Sequence, residues 1–190
     1  MQTLVIILGV AILGGFLLIG AFGPGAGGFN NLVIEEIRFE EATRGPDIDE
    51  WIVIANRTGT PVDLTGWKIE SGDGPGAPPS VGQTYFFPAG CTLPPRGKVY
   101  VHSGPTVDGT HPAPQCNQLR IDLYAKWNAQ PNSPTGWWQG VAEIGNTVWH
   151  NEGDTAWLLR YSGGAGLFVY DRIDTCRYNG NEANGVKKCR

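Results

Sequence analysis

The sequence predicts an all-β sandwich behind a single N-terminal membrane-spanning α-helix, and three observations carry that expectation. Gly and Pro number 28 and 14 of 190 residues while aromatics reach 11%. Such a chain is rich in turns yet has the bulk for a core, which excludes a helix bundle, a coiled coil and a long disordered tail. Short apolar runs recur between turn signals, and helical periodicity never persists for long. The third observation is an uncharged apolar stretch near the start of the chain. The net charge of −4 leaves no overall basic field, so nucleic acid is not an expected partner.

Residues 1–3 form a short N-terminus, and Leu4–Phe22 (LVIILGVAILGGFLLIGAF) follows as nineteen residues without a charge. At about 1.5 Å per residue a helix of that length reaches roughly 28 Å, close to the ~30 Å hydrocarbon core, and it satisfies its own backbone hydrogen bonds there. A cleaved signal peptide is the competing reading. It wants a basic start and a shorter apolar region of about 7–15 residues, and neither is present. The expected first partner is therefore membrane lipid. Ala11 and Gly15, with Gly14 beside them, make a small-residue notch that lets another helix approach closely, so other integral membrane subunits are expected as partners. Residues 23–30 (GPGAGGFN), with Pro24 and several glycines, end the helix and give a linker. The first Lys or Arg is Arg38, accompanied by Glu35, Glu36, Glu40 and Glu41, so nothing holds the C-terminal part in the cytoplasm. The expected location is a single-pass membrane protein with its C-terminal domain extracytoplasmic, periplasmic or extracellular.

Residues 31–190 then read as one domain. Leu32–Phe39 is the first strand-like run. Glu50–Asn56 follows with Trp51, Val53 and Ala55 on one face and Ile52 and Ile54 on the other. Both faces are apolar, which predicts a central strand. Arg57–Pro61 is a turn, and Trp67–Glu70, Thr84–Phe87, Lys98–His102, Ala156–Tyr161 and Leu167–Ile173 complete the set. About seven short strands with turns every ten to fifteen residues predict an immunoglobulin-like sandwich.

Several motifs resemble the lamin-tail domain family, and their order matches as well. They are Val33-Ile34-x-Glu36-Ile37, Asp49-Glu50-Trp51-Ile52-x-Ile54-x-Asn56 and Gly59-x-Pro61-Val62-Asp63-Leu64-x-Gly66-Trp67. Then come Phe87-Pro88-Ala89-Gly90-x-Thr92-Leu93-Pro94-Pro95-x-Gly97, Val99-x-Val101-His102-Ser103-Gly104 and Trp149-x-Asn151-x-Gly153-Asp154-Thr155-Ala156-x-Leu158. The resemblance covers residues 31–104 and 148–178, and it is to the bacterial type. It implies an immunoglobulin-like fold used for binding and scaffolding, on an exported protein. The motif chemistry agrees, since Val62–Trp67 sends apolar side chains inward around a turning Gly66, and Asp154 suits a backbone-bonding turn.

Residues 105–147 depart from that pattern as an insertion. Loops longer than about 12–15 residues in compact domains are functional or disordered, and this one is too aromatic for disorder. Asn117–Trp127 alternates, with Leu119, Ile121 and Leu123 against Arg120, Asp122 and Tyr124, and predicts an added strand. Tyr124, Trp127, Trp137 and Trp138 are the candidate partner-binding residues, with Gly136-Trp137-Trp138 as the exposed tip. They read as a protein interface, as a satellite core covering the sandwich edge, or as platforms for glycan or the membrane interface.

Four cysteines, Cys91, Cys116, Cys176 and Cys189, lack CxxC spacing and so oppose a zinc site. In an exported domain two disulfides are expected; pairing Cys91–Cys116 and Cys176–Cys189 closes the shorter loops, with free buried thiols as the alternative. His102, His111 and His150 are scattered without metal-ligand spacing. Asp47, Asp49 and Glu50 read as a solvated turn or, with hard oxygen ligands, as a Ca²⁺ site. Asn56-Arg57-Thr58 is a glycosylation acceptor pattern. There is no GxSxG, no P-loop and no nucleophile with a base in sequence, so no catalytic residue, no cofactor and no enzyme activity is expected. The function these features predict is a membrane-anchored protein-binding or scaffolding module, an accessory subunit of a larger membrane complex of the energy-transducing kind, photosynthetic or respiratory. A cell-surface glycan-binding module and a pilin-like filament subunit are the other readings.

Overall fold

A computed structural model describes residues 32–39, 50–72, 83–106, 108–127, 134, 136–139, 148–149, 152–163 and 169–190. The expected membrane helix, with Ala11, Gly14 and Gly15, and the linker lie outside the described residues, as do Asp47, Asp49 and His150. Among the described residues no helix is long and apolar enough to cross a membrane.

Two sheets face each other. The first holds β1 (Leu32–Arg38), β2 (Trp51–Asn56), β7 (Lys98–His102), β8 (Arg120–Tyr124) and β13 (Val186–Lys188), in the order β13-β1-β2-β7-β8. The second holds β4 (Trp67–Ser71), β5 (Thr84–Phe86), β9 (Lys126–Trp127), β10 (Trp137–Gln139), β11 (Asp154–Tyr161) and β12 (Tyr170–Tyr178), in the order β12-β11-β4-β5-β10-β9. A small ladder of β3 (Val62–Asp63) and β6 (Thr92–Leu93) crosses one end.

The double-sided apolar run Trp51–Asn56 is indeed the central strand of its sheet, with Ile52, Val53, Ile54 and Ala55 all buried. Register then sorts the faces. Ile37, Ile52, Val101 and Leu123 lie in one inward row, and Ile34, Ile54, Val99 and Ile121 in the next. Leu158, Ile69, Tyr85 and Trp138 form the facing row of the second sheet. All twelve are at most 1% exposed. Each such side chain contributes roughly 1.5–3 kcal/mol by leaving water, so these rows hold the sheets together.

The insertion is structural. It supplies β8, β9 and β10, and its chain crosses between the sheets. β8 pairs parallel to β7 at one edge of the first sheet, buried Ala125 follows, and β9 then pairs parallel to β10 at the edge of the second. One open side of the sandwich is thereby shut by backbone. The opposite side, between β12 and β13, is shut differently, by the Cys176–Cys189 disulfide and by Asp174. Its Oδ2 accepts the Ile34 amide at 2.8 Å and its Oδ1 accepts from Arg190 at 2.6 Å. The second disulfide, Cys91–Cys116, ties the segment before β6 to the insertion. Both pairings match the short-loop expectation, and no described cysteine is free.

Two expectations about strand faces need correction. Alternation puts Leu119 on one face with Ile121 and Leu123, but they are buried and it is 68% exposed. β8 begins only at Arg120, and Leu119 precedes it, using its carbonyl to accept the Lys98 amide. The last strand runs to Tyr178, five residues past Ile173. A bulge at Ile173 shifts its phase, so that Asp174, Cys176 and Tyr178 face inward beyond the expected end of the strand.

Gly66, at φ +76°, turns the chain ahead of the buried Trp67 as expected. Gly136, at φ +73°, has a further constraint, because a Cβ there would overlap the Tyr85 hydroxyl and the Phe86 carbonyl. Only glycine lets β10 start against β5 at that point.

Candidate binding surfaces

Adjacent residues of a strand point to opposite faces, so Trp137 and Trp138 part company. Trp138 lies opposite Tyr85 and is fully buried. Its ring meets Tyr85 at 5.2 Å and Trp149 at 6.2 Å, and its Nε1 donates to the His102 carbonyl at 3.4 Å. The expectation that Trp138 belongs to an exposed binding tip is therefore wrong; it is a core residue that bridges the sheets. Trp137 points outward and is half-buried, stacked on Phe86 with centroids 4.6 Å apart and planes 18° apart. It stands in a cross-strand row of Arg172, Leu159, Lys68, Phe86, Trp137 and Lys126 on the outer face of the second sheet. Trp127 occupies β9 in register with Trp138.

Tyr124 belongs to a different surface, the outer face of the first sheet. There Arg38, Trp51, His102 and Tyr124 stand in one row across four strands. The Arg38 guanidinium sits 4.6 Å from the Trp51 ring, Trp51 meets His102 edge-on at 6.0 Å, and His102 stacks on Tyr124 at 4.2 Å and 9°. Beside this row Asp122 accepts from His102 Nε2 at 3.1 Å and takes a two-point contact from Arg120. Burial alone would raise the Asp122 pKa, but the hydrogen bonds from Arg120 and His102 hold it below the ordinary carboxylate value. A depressed folded-state pKa stabilises above the unfolded value near ~3.9 and is lost as pH falls through the folded value. Asp122→Asn is therefore expected to flatten the acid limb of the stability–pH curve below about pH 4, read by urea denaturation across pH. An unchanged acid limb would dissociate Asp122 from that network. Sequence alternation placed Tyr124 and Asp122 on one face, but the row itself depends on pairing between distant strands and has no local signature.

The remaining candidates fall into structural roles. Glu50 is fully buried and not part of a solvated turn, with its Oε2 accepting the Val148 amide at 2.9 Å. His111 Nδ1 bonds the Tyr124 carbonyl at 2.8 Å. Among the described residues no group of three His, Cys, Asp or Glu side chains is placed to hold a metal ion. Asn56 is 1% exposed and its amide nitrogen donates to the carbonyls of Thr60, Leu93 and Pro94. A glycan cannot attach to that nitrogen in the folded domain. Asn56→Ala takes a donor from the buried Leu93 carbonyl and removes the Oδ1 that accepts the Thr58 amide and hydroxyl, and is expected to cost about 2 kcal/mol by urea denaturation; a change under about 0.5 kcal/mol, the scale of an ordinary surface substitution, would contradict it. An open depression of about 320 Å³ at Arg177, Tyr178, Asn179, Glu182 and Lys187 carries the Lys187–Glu182 ion pair at 3.1 Å and no further chemistry.

No curated protein matches the chain. A solved structure of a DUF4876 family protein from Bacteroides thetaiotaomicron is 12% identical, with a TM-score of 0.49. The alignment covers 82% of this chain, and this chain spans 55% of that one. The Lamin Tail Domain model matches residues 26–180, which takes in the insertion and every strand of both sheets except β13. The chain belongs to the lamin tail domain family.

Proposed function

We propose that this chain is a membrane-anchored, extracytoplasmic protein-binding module, an accessory structural subunit of a larger membrane complex of the energy-transducing kind, and not an enzyme. The observation that carries the reading is the union of an apolar nineteen-residue stretch at Leu4–Phe22 with a sandwich whose open sides are shut by a disulfide and by a chain crossover. Disulfides persist in oxidising compartments, which agrees with an extracytoplasmic domain. A rigid domain tethered to a bilayer meets neighbouring subunits at high local concentration, so that modest contacts suffice. Ala11, Gly14 and Gly15 would serve the helix contact, and the outward aromatic rows would serve the domain contact.

A glycan-binding reading is disfavoured by the arrangement of its platforms. Trp138 is core, and one face of Trp137 is covered by Phe86. A pilin-like filament keeps only the apolar stretch Leu4–Phe22 in its favour. The test is purification of the full chain from native membranes in mild detergent. The expected result is co-purification with integral membrane subunits, and loss of that association in Trp137→Ala or Tyr124→Ala with the fold retained. A lone monomer in mild detergent would overturn the reading.

A further inference from the structure

One end of the sandwich carries all three of the large, exposed hydrophobic residues among those described, namely Leu119, Tyr161 and Val169, at 68%, 40% and 44% exposure. The register fixes that end. Val33, Ala55, Lys98 and Arg120 form the first cross-strand row of the first sheet, and Leu119 lies just ahead of it. In the second sheet β12 runs alongside β1, with Asp174 beside Ile34 and the Tyr178 ring stacked on Phe39. Tyr170 and its partner Tyr161 therefore lie toward Leu32, and the Val169 carbonyl accepts the Ser162 amide next to them. Isolated exposed hydrophobics are ordinary; their gathering at one end from both sheets is what calls for an occupant.

Two more features of that end select the occupant. It is where the described chain begins, and only nine residues separate Leu32 from Phe22. At ~3.3–3.6 Å per residue, that span holds Leu32 within about 35 Å of the end of the apolar stretch. The charge there also departs from the rest of the molecule. Exposed Arg96 joins Arg57 and Lys98, which pair with Glu35, and Arg120, which pairs with Asp122; the last three side chains are 53%, 44% and 63% exposed. Arg160 stands opposite Asp171 beside Tyr161, and Asp63 is the remaining carboxylate. Five cations over four anions is a positive local balance in a chain of net −4. Apolar side chains rimmed by Lys and Arg form the pattern that settles at the headgroup level of a bilayer, and the attraction strengthens with anionic lipid.

We propose that this end, bearing Leu119, Tyr161 and Val169, docks onto anionic lipid headgroups of the membrane that holds the anchor. The inference rests on the membrane-anchored reading and adds an orientation to it: the strands stand upright on the bilayer. The outer faces with Trp137 and Tyr124 then look sideways, toward neighbouring subunits.

Hydrogen exchange on the full chain tests this, in nanodiscs containing phosphatidylglycerol and in detergent micelles. Exchange at the amides of Thr60, Leu119, Arg120 and Val169 is expected to slow in the discs, while the opposite end, Asn181–Gly185, is unchanged. Leu119→Glu combined with Val169→Glu is expected to abolish the protection with the chain still in the disc fraction; both positions are exposed, so the fold is retained. A disc-bound chain whose Leu119 end exchanges as in micelles, or whose two ends are protected alike, overturns the docking and leaves the anchor standing. A chain absent from the disc fraction overturns the anchor and the docking together. Protection that arises in native membranes but not in lipid-only discs also overturns it, and makes the occupant a protein.

Discussion

Trp138→Ala is expected to destabilise the domain by about 3–5 kcal/mol, the range for removing a buried indole from a core that cannot collapse around the gap. Trp138 is the position where the insertion meets the main core, touching Tyr85 of β5, Trp149 and the His102 carbonyl of the opposite sheet. The urea midpoint should fall with the slope unchanged, since the same surface is exposed on unfolding. For a domain of this size the melting temperature should drop by roughly 10 °C. Trp137→Ala supplies the contrast. Its indole is half-exposed and its main contact is the Phe86 ring, so the cost is expected to stay near ~1 kcal/mol. Equal losses for the two variants would mean that the faces of β10 are assigned the wrong way round.

That pair also shows where sequence reasoning stops. The dipeptide Trp137-Trp138 reads in sequence as one exposed tip, but on a strand it cannot send both rings the same way. Which one turns inward depends on the register of β10 against β5, a pairing with a strand some fifty residues away that leaves no local mark. The same limit applies to Leu119, where alternation was read correctly from Ile121 to Tyr124 but extended one residue beyond the ladder. By contrast, the central position of β2 was readable because two apolar faces require cover on both sides, and only an interior strand has it. The buried acids were the least legible. Glu50 and Asp174 look like surface residues, and they are buried because backbone amides 98 and 140 residues away complete their hydrogen bonding. Nothing within a short window announces such a partner. The bulge at Ile173 hid Asp174 further by breaking the alternation that would have carried β12 to Tyr178.

Replacing both Cys176 and Cys189 by serine is the other large effect, and it separates the two ways in which this sandwich is closed. In the chain-entropy model a loop of this size, 13 residues in separation, is worth about 3 kcal/mol, because the cross-link restricts the unfolded chain. The native-state consequence is local. β13 is three residues long and pairs with β1 only at Glu36, Ile37 and Arg38, so little backbone holds it once the disulfide is gone. Beside that ladder and the flanking bonds from the Phe39 amide to Gly185 and from the Cys189 amide to Glu35, there remain ion pairs from exposed side chains, Lys188 to Glu36 and Arg190 to Asp174, each worth at most about 1 kcal/mol. The Cys189 amide, which donates to the Glu35 carbonyl at 2.8 Å, should then exchange rapidly with solvent. Amides of β2 and β7, in the middle of the sheet, should open only with global unfolding. Loss of Cys91–Cys116 should act otherwise. It joins the segment before β6 to the insertion, whose β8 keeps a five-residue parallel ladder with β7, so stability should fall without selective opening of that edge. Exchange at Cys189 that stays as slow as in the native chain would show that β13 holds by pairing alone. The β12–β13 side would then be closed as firmly by backbone as the β8–β9 side, and the disulfide would act on the unfolded state only.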